Sequence, residues 1–505
     1  MSKREYTDAS VYNAHHERFQ RAGLPTTQQG WVQRAREVSS ILAEDAAKRD
    51  IENKSPRAEI ALLKSAGLLK TLGPAKYGGG NQSWETGYKV IREVAKGDGS
   101  LGMLLGYHLL WSTTANVVGT EEQHDSVQQV IIENNYFVGG AVNPRDSDLK
   151  ISSEGDEIVF NGHKNFNTGG VVSDLTVLEG VLDGTEDHIF TFVKTEQPGI
   201  IFAHNWDNVG LRLSESGSVK IDNVRVPWTD ALGWDPASKR PIQDVLGVPF
   251  ASLLLPTIQL VFSNFYLGIA QGALGAASQY TVNGTRAWPF GGDNKDKAVD
   301  EWYILERYGE WRAHLAAADA LADRAGAEIA NIYREAGQHG SSTDSQLLKE
   351  HVNPNYSLSK VDVNGALNKI NPPYSITTAT SFQNLGAESG ANGAATNGAA
   401  TNGYTNGYTN GHKSNNNRPG ITALRRGEVA AFVAHAKVVT TDTGLKVTSG
   451  IFETLGARAT GKKYGFDRYW RDIRTHSLHD PVAYKKREVG RYQLLGEIPE
   501  PTWYT

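Results

Sequence analysis

Near the C-terminus the run Arg474-Thr475-His476-Ser477-Leu478-His479-Asp480-Pro481 sets two imidazoles and a carboxylate close together. An imidazole changes charge near neutral pH, so such a cluster can move protons or hold a metal ion. Pro481 has a fixed φ and no N–H, which suits the first turn of a following helix. His479 and Asp480 would then stand at a helix entrance, where backbone N–H groups favour negative charge. Asp480 there either orients an imidazole or caps the helix. A metal site built from His476, His479 and Asp480 lacks any further evident ligand set, so no metal is expected. The stretch reads as the floor of an active site, and the remaining chain as what places a cofactor above it.

Three kinds of sequence texture lead up to this floor. Residues 1–30 are polar and suggest a loosely docked arm. Apolar positions then recur at helical spacing over 31–49, 58–66, 84–95, 100–118 and 121–134, so 1–134 is predicted to be an α-helical domain. Short β-rich runs separated by Gly, Asp and Asn follow at 136–142, 157–165, 175–182, 189–194, 199–202 and 218–226. They predict an antiparallel β-domain over 135–240. Helical periodicity returns in 241–505, with helices expected at 253–280, 301–334, 424–455 and 484–495. Between them, about 338–420 loses its pattern and carries the tandem repeat AATNGAATNGYTNGYTNGH from Ala394 to His412. Such a tract cannot bury enough apolar surface to offset its ordering entropy, and reads as a disordered insertion. The class is α+β: helical domain, β-domain, helical bundle.

The totals narrow the function classes. A chain of 505 residues, 39% hydrophobic and 21% charged, suits a soluble protein of more than one domain. A net charge of −5 points to neither nucleic acid nor an anionic membrane as partner. No run is expected to be long and apolar enough to span a bilayer, and no secretory signal is evident. The absence of cysteine removes disulfides, thiolate metal sites and thiol nucleophiles, and fits a cytoplasmic protein. There is neither a strand–GxGxxG–helix unit nor a Walker A loop.

Beyond this architecture, specific motifs carry a resemblance. Asp98-Gly-Ser-Leu-Gly102 with Gly106-Tyr-His-Leu109, Gly217-Ser218, Tyr464-Gly-Phe-Asp-Arg468 and the octapeptide 474–481 are similar to those of the dibenzothiophene monooxygenase family. That family is the flavin-dependent monooxygenase branch of the acyl-CoA dehydrogenase fold, and the likeness runs from about Ser55 to Leu495, apart from the insertion. It implies a two-component enzyme in which a separate reductase supplies reduced FMN. The flavin reacts with O2 to a C4a-hydroperoxide that oxygenates a sulfur or nitrogen atom of a small substrate. It also implies a homotetramer with flavin sites near subunit interfaces, for which the small-residue helix from Leu253 would suit.

The same resemblance assigns roles. His479 matches the histidine that faces the flavin and holds the hydroperoxide; on the residues alone it could equally cap a helix or sit in a core. Phe166 and Thr168 match an aromatic-x-Ser/Thr pattern in which the ring packs beside the isoalloxazine and the hydroxyl addresses N5. Asn143 falls where the fold contacts the flavin pyrimidine, Arg286 and Arg458 match arginines that grip the FMN phosphate, and Trp206 matches a tryptophan near the pocket. Tyr107 matches a pocket tyrosine, while His108 is read as structural.

Two departures stand out. Met103 and Gly140 occupy positions where the family has a histidine and an asparagine, so this substrate pocket loses two polar groups and dibenzothiophene itself is put in doubt. A competing reading keeps FAD and makes the protein an acyl-CoA dehydrogenase or nitroalkane-type oxidase with Asp480 as base. A third reading is a non-enzymatic scaffold.

Overall fold

In the computed structural model the described residues are 4–142, 148–290, 295–337 and 421–501. The expected insertion and Asn143 lie outside them. The chain begins with helices α1 (Asn13–Ala22), α2 (Gln28–Ala43), α3 (Ala46–Glu52), α4 (Arg57–Ser65), α5 (Trp84–Gly97), α6 (Gly99–Ser112), α7 (Ala115–Val118) and α8 (Glu121–Glu133). The N-terminal stretch is therefore no loose arm: α1 and the short turn before it bury Phe19 and Tyr12. The single helix expected over 31–49 breaks after Ala43 into α2 and α3.

The β-region holds β1 (Val138–Ala141), β2 (Lys150–Glu154), β3 (Glu157–Lys164), β4 (Leu175–Val181), β5 (His188–Lys194), β6 (Ile200–Phe202) and β7 (Val219–Pro227), with a small hairpin of β8 (Trp234–Asp235) and β9 (Arg240–Pro241). One sheet has the order β2-β3-β7-β6 and the other β1-β4-β5. Pairing is antiparallel as the turn-rich pattern predicts, except that β1 runs parallel to β4 with Gly140 opposite Val177. β2, which is half exposed and polar (Lys-Ile-Ser-Ser-Glu), gave no hydrophobic run to read. Ile151, Ile158, Phe160, Leu178, Ile189, Ile221 and Trp234 close a core between the sheets.

The C-terminal part comprises α9 (Gln243–Leu246), α10 (Leu254–Gly284), α11 (Trp302–Glu335), α12 (Ala423–Gly450), α13 (Phe452–Leu455), α14 (Phe466–His476) and α15 (Val482–Leu495). One stretch, Pro249–Gly284, is long and apolar enough by length and composition to cross a membrane, contrary to the expectation from sequence. Its most apolar window is 83% buried inside the protein, so it serves as the central helix of the fold. Its buried positions are concentrated between Leu260 and Ala270, and exposure increases toward its C-terminal end.

Glycine brings α10 close to its neighbours. A Cβ at Gly106 of α6 would collide with Val261 of α10, and one at Gly268 of α10 would collide with the Arg92 carbonyl of α5. Helices normally pack 8–10 Å apart depending on the side chains between them; here the side chain is missing at the crossing points. The close approach lets tyrosines on α6 and α10 reach a common partner.

Candidate active site

That partner is His476, the last residue of α14. It is buried, with Tyr107 Oη 3.0 Å from Nε2 and Tyr266 Oη 2.7 Å from Nδ1. Burial, then the positive fields of His479 and Lys437, hold its pKa well below the ordinary histidine value. A neutral imidazole has one N–H donor and one acceptor nitrogen. One tyrosine therefore donates to the ring and the other accepts from it, and a change of tautomer moves a proton from one side to the other. With both nitrogens engaged, His476 has no lone pair for a metal. Burial also pushes the Tyr107 and Tyr266 phenols far above their usual range, so both keep their protons.

His479 lies in the turn after α14, where its backbone N–H donates to the His476 carbonyl at 2.9 Å. Its ring is parallel to that of His476, with centroids 5.2 Å apart, and its side chain is 52% exposed. Phe262 of α10 joins the group: its ring is 4.5 Å from His476, 5.3 Å from His479 and 5.6 Å from Tyr107. Asp480 pairs with the buried ammonium of Lys437 on α12 at 2.6 Å, and Gln259 donates to its other oxygen at 3.4 Å. Burial opposes a charge on Asp480, but His479 and Lys437 outweigh it and hold the carboxyl well below its usual range. A carboxylate so engaged is too weak a base to take a carbon-bound proton. The geometry therefore runs against Asp480 as the base of a dehydrogenase.

The second wall comes from the β-region. Thr168 is buried, and its hydroxyl is 3.0 Å from that of Ser216, itself 2.8 Å from Ser214. Phe166 adopts a left-handed backbone, φ +57°, and leaves its ring 58% exposed. That conformation is costly for a bulky residue and is found where a functional surface requires it. Between them Asn167 is buried with neither end of its amide hydrogen-bonded, an unsatisfied group of the kind a bound partner accounts for. The Thr168 carbonyl accepts from Gly140 at 3.1 Å, and Gly140 faces Trp111, whose ring is 4.9 Å from Tyr107. The Thr168 wall and the histidine floor thus share one contiguous set of contacts. Met103 is buried one helical turn before Tyr107 on α6.

Gly140 has a steric explanation: a Cβ there would sit 2.7 Å from the Trp111 ring. Gly140→Asn is expected to cost about 1–3 kcal/mol from overpacking, seen as a lower urea midpoint. An unchanged midpoint would show that Trp111 moves aside freely.

Three other sequence candidates have plainer places. Trp206 is buried and donates its indole N–H to the Leu211 carbonyl at 2.8 Å, while Asp472 of α14 accepts from the Leu211 N–H at 2.6 Å. Trp206 thus ties the loop before β7 to the helix that bears His476. His108 is structural, as expected: it accepts from Val138 N–H and lies 3.0 Å from the Leu69 carbonyl, and burial lowers its pKa to about 4. Arg286 and Arg458 are exposed at the far end of α10, brought together where the Thr285 hydroxyl meets the Leu455 carbonyl at 3.5 Å. From Phe262 to the end of α10 is about 33 Å of helix, so one chain does not bring these arginines to its own His479.

Comparison with known proteins gives the family. The acyl-CoA dehydrogenase N-terminal domain model matches residues 26–133, and the C-terminal domain model matches 417–483. The dibenzothiophene monooxygenase of Rhodococcus qingshengii is 31% identical over 466 residues, covering 90% of this chain and 91% of that one. The chain belongs to the dibenzothiophene monooxygenase family. It is a flavin-dependent monooxygenase of the acyl-CoA dehydrogenase fold. Among solved structures, methanesulfinate monooxygenase of Pseudomonas fluorescens is 27% identical with a TM-score of 0.73, covering 94% of this chain and 99% of the other. The complex of the Paenibacillus sp. A11-2 enzyme TdsC with FMN and indole is 26% identical, with a TM-score of 0.73 and coverage of 94% and 100%.

Reading the sequence alone missed Tyr266, Phe262 and Lys437, and left His476 without a role. Tyr266 and Phe262 sit in a helix so uniformly apolar that any aromatic there looks like core. Lys437 carried no motif. The spacing of His476 and His479 was the one available signal, since residues three apart share a face.

Proposed function

We propose that the protein is the oxygenase of a two-component system, using reduced FMN from a separate reductase and O2 to place one oxygen atom on the sulfur or nitrogen of a small organic substrate. The observation that carries this reading is the half-exposed His479 ring beside a neutral, doubly hydrogen-bonded His476, which connects through Tyr107, Trp111 and Gly140 to Thr168. The donor set fits a flavin: an exposed aromatic ring, a buried hydroxyl and an imidazole able to hold or pass a proton. Reduced flavin, when bound, supplies the activation of O2. The chain's part is to keep Thr168 and His479 on the reacting side, exclude water with Trp111, Met103 and Phe262, and carry protons along Tyr107–His476–Tyr266. The FMN complex of TdsC supports the cofactor, and the "Probable FMNH2-dependent monooxygenase" of Pseudomonas putida supports its reduced, external supply. FAD is the alternative that the wider fold allows. Met103 and Gly140 favour a substrate with an apolar body.

A homotetramer completes the site in this reading. Arg286 and Arg458 of a neighbouring copy would hold the phosphate of a flavin seated over this chain's His479. Val282, Trp288, Phe290, Trp302 and Leu305 are exposed at the same end, and so much apolar surface near one place suits burial against a second copy.

The test is stopped-flow absorbance: protein with anaerobically reduced FMN is mixed with oxygenated buffer. A transient that precedes the oxidised flavin spectrum by seconds is the expected result. Direct reoxidation at the rate of free reduced flavin would overturn the reading.

A further inference from the structure

The floor of the site contains a buried ion pair that no step above requires. Lys437 is fully buried on α12, 2.6 Å from Asp480, with its ammonium 4.5 Å from the centre of the Phe262 ring and 5.8 Å from that of Tyr266. A buried ion pair is poor value as a stabiliser, because desolvation offsets most of the attraction. Its place beneath Phe262, which touches both imidazoles, points to another role.

We propose that Lys437 is a positioning residue whose charge balances Asp480, so that His476 stays a neutral, two-way link between Tyr107 and Tyr266. The groups facing His476 are few. From α6 comes Tyr107; from α10 come Tyr266 and the uncharged Phe262 and Phe265; the fields of Lys437 on α12 and of His479 and Asp480 in the turn reach it; and Asp472 lies one turn back on its own helix, bound to Leu211. Lys485 and Glu488 of α15, paired with each other at 2.7 Å, act on Lys437 with opposite signs. Among the described residues Asp480 is the group that pulls a proton toward His476, and of the two groups that oppose it, the exposed His479 and the buried Lys437, Lys437 makes the shorter contact with the carboxylate, 2.6 Å against 3.9 Å. Were His476 protonated, both its nitrogens would be donors, and the link could no longer take a proton from either tyrosine. The direction of the field agrees: beside burial and His479, Lys437 lowers the His476 pKa, and Asp480 raises it.

This deepens the oxygenase reading, but its first test is taken without flavin and stands whatever the reaction proves to be. The ring of His476 is followed by NMR in full-length protein carrying 13C-labelled histidine, with the signal assigned by loss in a His476→Asn sample. In the wild type the signal is expected to stay that of a neutral ring from about pH 8 down to about pH 5. In Lys437→Gln, which keeps a hydrogen-bond donor for Asp480 but removes the charge, the ring is expected to titrate within that window. The double variant Lys437→Gln/Asp480→Asn removes both charges and should return it to the neutral, pH-independent signal. If Lys437→Gln fails to fold, Lys437→Met, which also removes the charge but fills the same buried space with an apolar chain, takes its place with the same expected titration. A purely structural lysine would leave the titration unmoved in Lys437→Gln, or leave it unrestored in the double variant, and either result overturns the proposal. In turnover, product formed per reduced flavin should fall with falling pH in Lys437→Gln and recover in the double variant; failure of turnover in all forms, with the NMR pattern as expected, would count against the oxygenase reading alone.

Discussion

Replacing His479 by alanine is expected to cut oxygenated product per reduced flavin by about 10²-fold or more, with the oxygen consumed appearing as hydrogen peroxide. The protein should remain folded. Half the His479 side chain is exposed, and its nearest charged partner, Asp480, is 3.9 Å away, too long for a hydrogen bond. What the fold loses is a parallel contact with His476 at 5.2 Å and an edge contact with Phe262 at 5.3 Å. Exposed substitutions away from caps and cores stay within about 0.5 kcal/mol, so thermal melting should be nearly unchanged. The chemistry loses the one imidazole that looks outward from the floor. The measurement is the ratio of product to hydrogen peroxide for a known amount of reduced FMN, beside a melting curve. A ratio equal to that of the wild type would remove His479 from the mechanism.

His476→Ala should behave in the opposite way, failing first in stability. His476 is the shared partner of two buried phenols, so its removal leaves the Tyr107 and Tyr266 hydroxyls unsatisfied and opens a cavity beside Phe262 and Phe265, whose rings are 4.5 and 4.8 Å away. Each buried unsatisfied group costs about 1–3 kcal/mol, and the cavity adds to it. A loss of about 3–5 kcal/mol is expected, read as a lower denaturant midpoint with unchanged slope. Tyr266→Phe should cost less, since it leaves one imidazole nitrogen unpaired, and it should still interrupt proton passage. A His476→Ala midpoint within error of the wild type would mean that the three-membered link is not held as described. Measured together, His476→Ala and His479→Ala separate the buried ring that holds the floor from the exposed ring that faces the reaction.

The sequence made the octapeptide and the helix–β–helix order legible because both rest on local signals: residue type at fixed spacing, and a change of hydrophobic period near residue 136. Pro481 does precede the first turn of α15, and Tyr107 and His479 both meet His476, while Thr168 bonds to Ser216 in the β-region. What local signals cannot carry is pairing across the chain. Lys437 meets Asp480, and Tyr266 meets His476, across long sequence separations, and each residue alone has an ordinary reading as helix surface or core. Arg286 and Arg458 show the converse: their residue type suits a phosphate, but only the length of α10 reveals how far they stand from the histidines of the same chain. The parallel pairing of β1 with β4 was hidden for a similar reason, since four small or β-branched residues, Val-Gly-Gly-Ala, fit either direction.

The glycines at 106 and 268 have a consequence for how such an enzyme changes its habits. Because they set the separation of α6 and α10 from their neighbours, they also set how far the Tyr107 and Tyr266 hydroxyls reach across His476. A single methyl group added at either position would push a whole helix rather than one side chain. Laboratory libraries drawn only from residues that touch the substrate would never sample that adjustment. In natural descent, a lineage could retune its proton path through these two positions while every residue lining the pocket stayed the same.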